Sequence, residues 1–239
     1  MILYYHSSFR DYVRRWEEKF DLEKVDSLPN KTDDFFLYHD GKRLRLHKSG
    51  DLRGIYLKTD NVRRRVSKKN HLARACGVRS NGMPSILDAT AGLGTDTMVL
   101  SGLGCAVEAF EKLPSLWAML DDYIFANEPS SMRLHNLDSL HWLLDQNTPV
   151  CDVLYIDPMF PERSKKALPS KTLQYLRALS NDSSKAPSWA GFLKTGGIDR
   201  VLPLARERIV IKKRFNDPPF KEPAWQIRGK TIRYDIYRY

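Results

Sequence analysis

The stretch Leu87-Asp88-Ala89-Thr90-Ala91-Gly92-Leu93-Gly94-Thr95-Asp96 decides the fold. Together with Ile86 its front half reads as an apolar strand, and a helix is expected over residues 96–103. Gly92 and Gly94 lie between them, where they let the backbone come close to a ligand that a Cβ would push away. The helix that follows starts with free N–H groups facing the same space. Thr97 stands where the dinucleotide fingerprint G-x-G-x-x-G has its third glycine. A second strand over residues 106–110 ends in Glu111, 17 residues after Gly94. A carboxylate at that place can accept two hydrogen bonds from the ribose hydroxyls of an adenosine cofactor. Nicotinamide dinucleotides and S-adenosylmethionine (SAM) both satisfy this pattern.

Further along the chain, strands and helices keep alternating. Residues 114–126 read as a helix, a short third strand begins at Met132, and Val153-Leu154-Tyr155-Ile156 is a buried fourth strand running into Asp157-Pro158. A helical region and a loop over 180–188 lead to a fifth strand at 208–213. Ile227, then Ile232, Tyr234 and Ile236, mark a closing hairpin turned at Gly229. Such alternation implies right-handed βαβ units. The expected fold is therefore α/β: a mostly parallel seven-stranded sheet with a terminal antiparallel hairpin, over residues 81–239.

The segment Asp157-Pro158-Met159-Phe160-Pro161 narrows the chemistry. Ligands of open α/β sheets bind outside the carboxyl ends of the strands, so it should face the same crevice as the glycine loop. An aromatic exocyclic amine, such as guanine N2, is a poor nucleophile because its lone pair is delocalised. The Asp157 carboxylate and the Pro158 carbonyl can both accept its N–H bonds, and Phe160 offers a face for stacking the base. Proline limits the freedom of these acceptors.

Residues 1–80 are expected to form a small, basic α+β domain. Phe9, Val13, Trp16 and Phe20 predict an amphipathic helix over 8–20. A hairpin is expected where Asp40-Gly41 separates Phe35–Tyr38 from Leu44 and Leu46, with another strand at 55–57. This third of the chain carries 19 basic against 11 acidic side chains, out of a net charge of +10 for the 239 residues, which points to a polyanionic partner, with nucleic acid ahead of a membrane surface. Arg63, Arg64, Arg65, Lys68 and Lys69 are its densest cluster and are candidates for RNA-backbone contact. Arg163, Lys165 and Lys166, after Phe160, are further candidates for holding phosphates. Three separated cysteines, no apolar run of membrane length and no secretory signal indicate a cytoplasmic protein. The histidines lack a ligand pattern, and no metal is expected.

The sequence resembles the bacterial 16S ribosomal RNA (guanine-N2)-methyltransferases. The resemblance rests on Leu87-Asp88-Ala89-Thr90-Ala91-Gly92-Leu93-Gly94, Gly104-Cys105, Tyr155-Ile156-Asp157-Pro158-Met159-Phe160-Pro161, Lys165-Lys166-Ala167-Leu168, Val210-Ile211-Lys212-Lys213 and Tyr234-Asp235-Ile236-Tyr237. It implies a Rossmann-like class I SAM-dependent methyltransferase, with ribosomal RNA or the small ribosomal subunit as partner. Through it the cofactor positions fall on Asp88, Thr95, Asp96, Glu111, Lys112, Asp138, Ser139 and Asp157, beside Gly92 and Gly94. The sequence departs from the family at Thr95, where Arg is usual, at Asp138, where Ser is usual, and over 66–70, where positive charge persists without the family's glycines. The competing readings are an amino-methyltransferase for another RNA or DNA base, and a catalytically silent ribosome-assembly factor. An NAD-dependent reductase ranks behind both.

Overall fold

The computed structural model describes residues 1–29, 34–58, 60–67, 69–79, 82–127, 131–158, 170–182 and 188–239. Phe160, Arg163, Lys165, Lys166 and Lys68, all singled out above, lie outside these residues. The chain opens with strand β1 (Ile2–Tyr5), a short helix α1 (Arg10–Val13), and strands β2 (Asp21–Lys24), β3 (Phe35–His39) and β4 (Leu44–Lys48). Helices α2 (Asp60–Arg65) and α3 (His71–Ala75) then lead into β5 (Ile86–Asp88), α4 (Thr95–Gly102), β6 (Val107–Phe110), α5 (Pro114–Asn127), β7 (Met132–His135), α6 (Ser139–Leu144) and β8 (Cys151–Ile156). Helices α7 (Lys171–Asp182), α8 (Trp189–Lys194) and α9 (Gly197–Val201) precede β9 (Ala205–Arg214), β10 (Trp225–Arg228) and β11 (Ile232–Tyr237).

The last seven strands make one sheet in the order β10-β11-β9-β8-β5-β6-β7. Strands β5 to β9 pair in parallel, whereas β11 runs antiparallel to both β9 and β10. This is the expected α/β sheet with its terminal hairpin. Alternation along β8 explains why the sheet is covered on both faces. Val153 and Tyr155 join Val99, Leu72 and Val62 on one side; Leu154 and Ile156 join Leu143, Leu193 and Val201 on the other. The cluster on the first side takes in Leu72, Ala73, Ala75, Cys76 and Val78, so α3 packs on the large sheet and the expected division at residue 80 falls beside that core.

The first four strands form a separate sheet, β2-β1-β3-β4, with β1 parallel to both neighbours and β3–β4 as the hairpin expected at Asp40-Gly41. Its apolar side, with Leu3, Leu37 and Leu46, packs against Leu116 and Met119 of α5 and Tyr175 and Leu179 of α7. The single helix expected over 8–20 is broken into 3-10 turns at Ser7–Phe9 and Arg14–Trp16 flanking α1. The apolar spacing still buries Val13, Trp16 and Phe20. The chain then enters β2, which pairs with β1. The strand expected at 55–57 shrinks to a bridge between Ile55 and Leu46. The loop expected from 180 begins later, since α7 runs to Asp182.

Hydrogen bonds to two neighbouring carboxylates of α5 help to connect the units. Asp122 of α5 accepts the Leu44 N–H at 2.8 Å and the Tyr12 hydroxyl at 2.7 Å, and Trp16 donates its indole N–H to Asp121 at 2.9 Å. Among the described residues, no helix is long and apolar enough to cross a membrane.

Candidate active site

The glycine loop follows β5 and leads into α4. Gly92 and Gly94 have φ of +56° and +69°, in the region that disfavours other residues. Their neighbourhoods differ. A Cβ on Gly94 would lie 2.4 Å from Leu120 Cδ1, so this glycine allows α5 to pack beneath the loop. A Cβ on Gly92 would meet nothing nearer than Thr90 O at 3.9 Å, so this turn keeps open space beside the backbone.

Four carboxylates surround the loop, each held differently. Asp88 accepts the Thr90 N–H at 3.0 Å and the Thr97 hydroxyl at 2.6 Å, which fastens the loop to the first turn of α4. Burial pushes its carboxyl up to about 7. Glu111 accepts the Gly92 N–H at 2.8 Å and the Leu113 N–H at 2.7 Å, one on each oxygen. Burial raises it to about 7, against those two hydrogen bonds. A carboxylate has room for further acceptor contacts with a ligand hydroxyl.

Asp96 and Asp157 share a cation. Lys212 on β9 donates to Asp96 Oδ2 and to Asp157 Oδ2, both at 2.7 Å. Asp96 also accepts the Tyr155 hydroxyl at 2.7 Å and Arg65 Nη2 at 2.6 Å. Burial would raise the Asp96 carboxyl, but Lys212 and Arg65 outweigh it and hold it at about 2. Asp157 lies nearer the opening, with 29% of its side chain exposed. Burial raises its carboxyl, Lys212 opposes that, and the net displacement is upward. The Asp157 N–H donates to Thr90 Oγ1 at 2.7 Å, tying the end of β8 to the glycine loop.

The third strand contributes the rim. Asp138 caps α6 by accepting the Leu140 N–H at 3.0 Å, with Lys112 Nζ at 3.9 Å. Ser139 is buried; its hydroxyl donates to Ala89 O at 2.6 Å and accepts the Trp189 indole N–H at 2.9 Å. Asn136 donates to Glu111 O at 2.9 Å. The described residues that follow β5, β6, β7 and β8 therefore converge at the carboxyl ends of the parallel strands.

Similarity to known proteins follows this geometry. Residues 15–239 match the family described as "Putative SAM-dependent methyltransferase". The chain belongs to this SAM-dependent methyltransferase family. It is 36% identical over 232 residues to ribosomal RNA small subunit methyltransferase J of Alkalilimnicola ehrlichii, covering 88% of this chain and 84% of the relative. The protein of that name from Ectopseudomonas mendocina is 30% identical over 241 residues, covering 93% and 88%. A crystal structure of a SAM-dependent methyltransferase from Neisseria gonorrhoeae shares the fold with a TM-score of 0.69 at 21% identity, over 100% of this chain and 96% of that one.

The cleft of this methyltransferase suits its cofactor. Gly92 leaves a space that a Cβ would enter, and Glu111 presents a buried carboxylate beside it. Of the residues expected from sequence, Asp88, Gly92, Gly94, Thr95, Asp96, Glu111 and Asp157 lie on this cleft's loops, with Lys112, Asp138 and Ser139 along its rim. Arg65, expected to touch RNA, pairs with Asp96 where α2 packs against α4 and keeps part of its side chain exposed. Lys212 and Tyr155 are not among the expected site residues, nor are Asn136 and Trp189. The Val210-Ile211-Lys212-Lys213 motif contained the lysine, but nothing local to that strand said which of its lysines faces the cleft. Among the described residues, no group of three or more His, Cys, Asp or Glu is placed to hold a metal ion.

Proposed function

We propose that this methyltransferase methylates the exocyclic N2 amine of a guanosine in small-subunit ribosomal RNA. The relatives named above carry the ribosomal target in their names, and the amine is argued from Asp157-Pro158. Bound SAM supplies an electrophilic methyl group on a cationic sulfur. The chain's contribution is alignment of the nucleophile. Asp157 Oδ2 accepts from Lys212, and in this reading Oδ1 accepts an N–H of the amine. The Pro158 carbonyl accepts the second N–H, and Phe160 stacks on a base drawn out of its helix. As the nitrogen forms its bond to carbon it becomes cationic, and Asp157 takes the proton it sheds. A carboxyl displaced upward is better suited to that than an ordinary one.

The remaining assignments belong to the same proposal. Gly92, Gly94, Thr95, Asp96, Glu111, Lys112, Asp138 and Ser139 frame the cofactor, with Asp88 fixing the loop. Residues 1–80, with Arg63, Arg64 and Lys69, contact RNA in the cytoplasm.

The observation that carries the reading is the hydrogen bond that ties Asp157 to the glycine loop through Thr90. Isotopically labelled SAM, unmodified small ribosomal subunits and purified protein test it, with labelled nucleosides identified by mass spectrometry. Label in N2-methylguanosine is expected, and Asp157→Ala should abolish it while SAM still binds. Label in another base overturns the target, and undiminished transfer by Asp157→Ala removes Asp157 from the chemistry. SAM binding without label in any ribosomal base would favour the silent assembly factor.

A further inference from the structure

A second concave feature lies on the small sheet, away from the methyl-transfer cleft. It is a groove of about 600 Å³ whose walls include Tyr38, Arg45, Arg53, Tyr56, Lys58 and Lys171. No described residue of the loops after β5, β6, β7 and β8 lines it. Cations gather around one ring: the guanidinium carbons of Arg43 and Arg45 stand 4.6 and 4.7 Å from the Tyr56 centroid, and Lys58 Nζ stands 5.9 Å from it. Two of the groove's basic groups are neutralised, Arg45 by Asp40 at 2.6 Å and Lys171 by Asp51. Arg43, Arg53 and Lys58 make no ion pair with a described residue, and all three are exposed. Like charges crowded at one rim repel each other, and an anion bridging them relieves that repulsion.

We propose that this groove binds the sugar-phosphate backbone of a single-stranded stretch of the RNA substrate, flanking the nucleotide that enters the catalytic cleft. Unpaired cations select phosphate, and the tyrosines supply flat surfaces beside it, a combination suited to single strands. Its floor is polar without adding charge. His47 is buried beneath Gly54, where a Cβ would lie 2.8 Å from the imidazole, and burial holds the ring neutral. Lys171 and Thr172, on the groove's edge, open α7, the helix that follows Asp157-Pro158 in the chain. A base flipped into a cleft leaves its neighbours to be held elsewhere, and phosphate contacts set their register.

The proposal rests on the RNA reading above, and its test separates the two. Arg53→Ala combined with Lys58→Ala removes two unpaired cations that touch no part of the cofactor site. Lys194→Ala with Lys230→Ala removes the same charge from exposed positions elsewhere. Binding of a fluorescent single-stranded RNA dodecamer is measured against salt concentration, alongside SAM affinity and methylation of small subunits. The groove variant should lose about tenfold in RNA affinity near 0.1 M salt, with a log–log salt slope shallower by about 1.4, from roughly 0.7 per lost phosphate contact on a single strand. Its SAM affinity and kcat should hold while KM for subunits rises. The charge-matched control should lose less than threefold.

Equal losses in both variants, an unchanged salt slope, or no binding of the dodecamer by the wild type overturns the groove. If RNA binding falls as expected but no subunit is methylated, the groove stands and the methyl-acceptor assignment fails.

Discussion

Lys212→Met is the perturbation that most directly tests the architecture of the cleft. In the folded protein this ammonium stands 2.7 Å from both Asp96 Oδ2 and Asp157 Oδ2, with 18% of its side chain exposed. Methionine keeps most of the volume and removes the charge. Breaking a buried pair costs ~3–5 kcal/mol, because the partner is left charged and unpaired. Two features put this site at the lower end of that range: Asp96 retains Arg65, and Asp157 is open enough to be reached by water. About 3 kcal/mol is therefore expected. For a chain of 239 residues, at ~2–4 °C per kcal/mol, the Tm should fall by about 6–12 °C at pH 7.

The pH dependence has a definite sign. Asp96, held at about 2, contributes stability above the unfolded carboxyl value of ~3.9 and loses it as pH falls through 2. Without Lys212 both carboxyls move up, so the variant gains protons first, and the gap to wild type should narrow as pH drops from 7 towards 4. Asp157→Asn placed in the Lys212→Met background removes one uncompensated charge and should recover part of the loss. Thermal unfolding followed by circular dichroism at several pH values measures each quantity. A Tm decrease under about 2 °C, or a gap that stays constant down to pH 4, would refute the view that Lys212 is the counter-ion of this pair.

Three further outcomes follow from the same contacts. Glu111 is held near 7 by burial, and its ionised form is the one that accepts ribose hydroxyls, so SAM affinity should rise with pH up to about 7 and then level off; Glu111→Gln should bind more weakly with a flat profile, and calorimetry across pH 5.5–8.5 would show a retained slope if another group is responsible. Gly94→Ala forces a Cβ into φ +69° and to 2.4 Å from Leu120, so chemical denaturation should register a loss of about 3 kcal/mol, combining ~1–2 for the left-handed backbone with ~1–3 for overpacking; a loss under 1 kcal/mol would mean that the loop can shift cheaply. Asp122→Ala leaves the buried Leu44 N–H unpaired, at ~1–3 kcal/mol, and should speed hydrogen exchange across residues 35–48 while leaving SAM affinity intact; uniform acceleration over both sheets would count against a local joint.

Sequence carried most of the fold because the decisive signals are short and contiguous. The apolar run 153–156 declares a strand buried on both faces, and Gly92, Gly94 and Glu111 stand at strand ends where their neighbours along the chain already define the geometry. The Asp40-Gly41 hairpin was legible for the same reason. Residues 8–20 misled because their apolar spacing is that of a helix and is satisfied equally by linked short turns that bury Val13, Trp16 and Phe20. The spacing there specifies burial without specifying helical continuity. Arg65 shows a contact that the sequence does not reveal. A run of three arginines on a short helix looks like one surface, yet the helix turns them to different sides, and one of them meets Asp96.

Lys212 was invisible for a reason that also explains how the cleft is built. Parallel pairing of β8 with β9 aligns Tyr155 with Val210 and Ile156 with Ile211, so the next step along both strands sets Asp157 beside Lys212. Alternation then puts Tyr155, Asp157, Val210 and Lys212 on one face of the sheet, the face that carries α4 and hence Asp96. A register slip of one residue would turn the Lys212 ammonium to the opposite face, and in one direction would bring Ile211 against the two carboxylates. Val210 and Ile211, fully buried on opposite faces, resist that slip, because each would exchange one packed cluster for the other. The charge of the candidate base is thus governed by apolar packing two residues away along a strand that is remote in sequence.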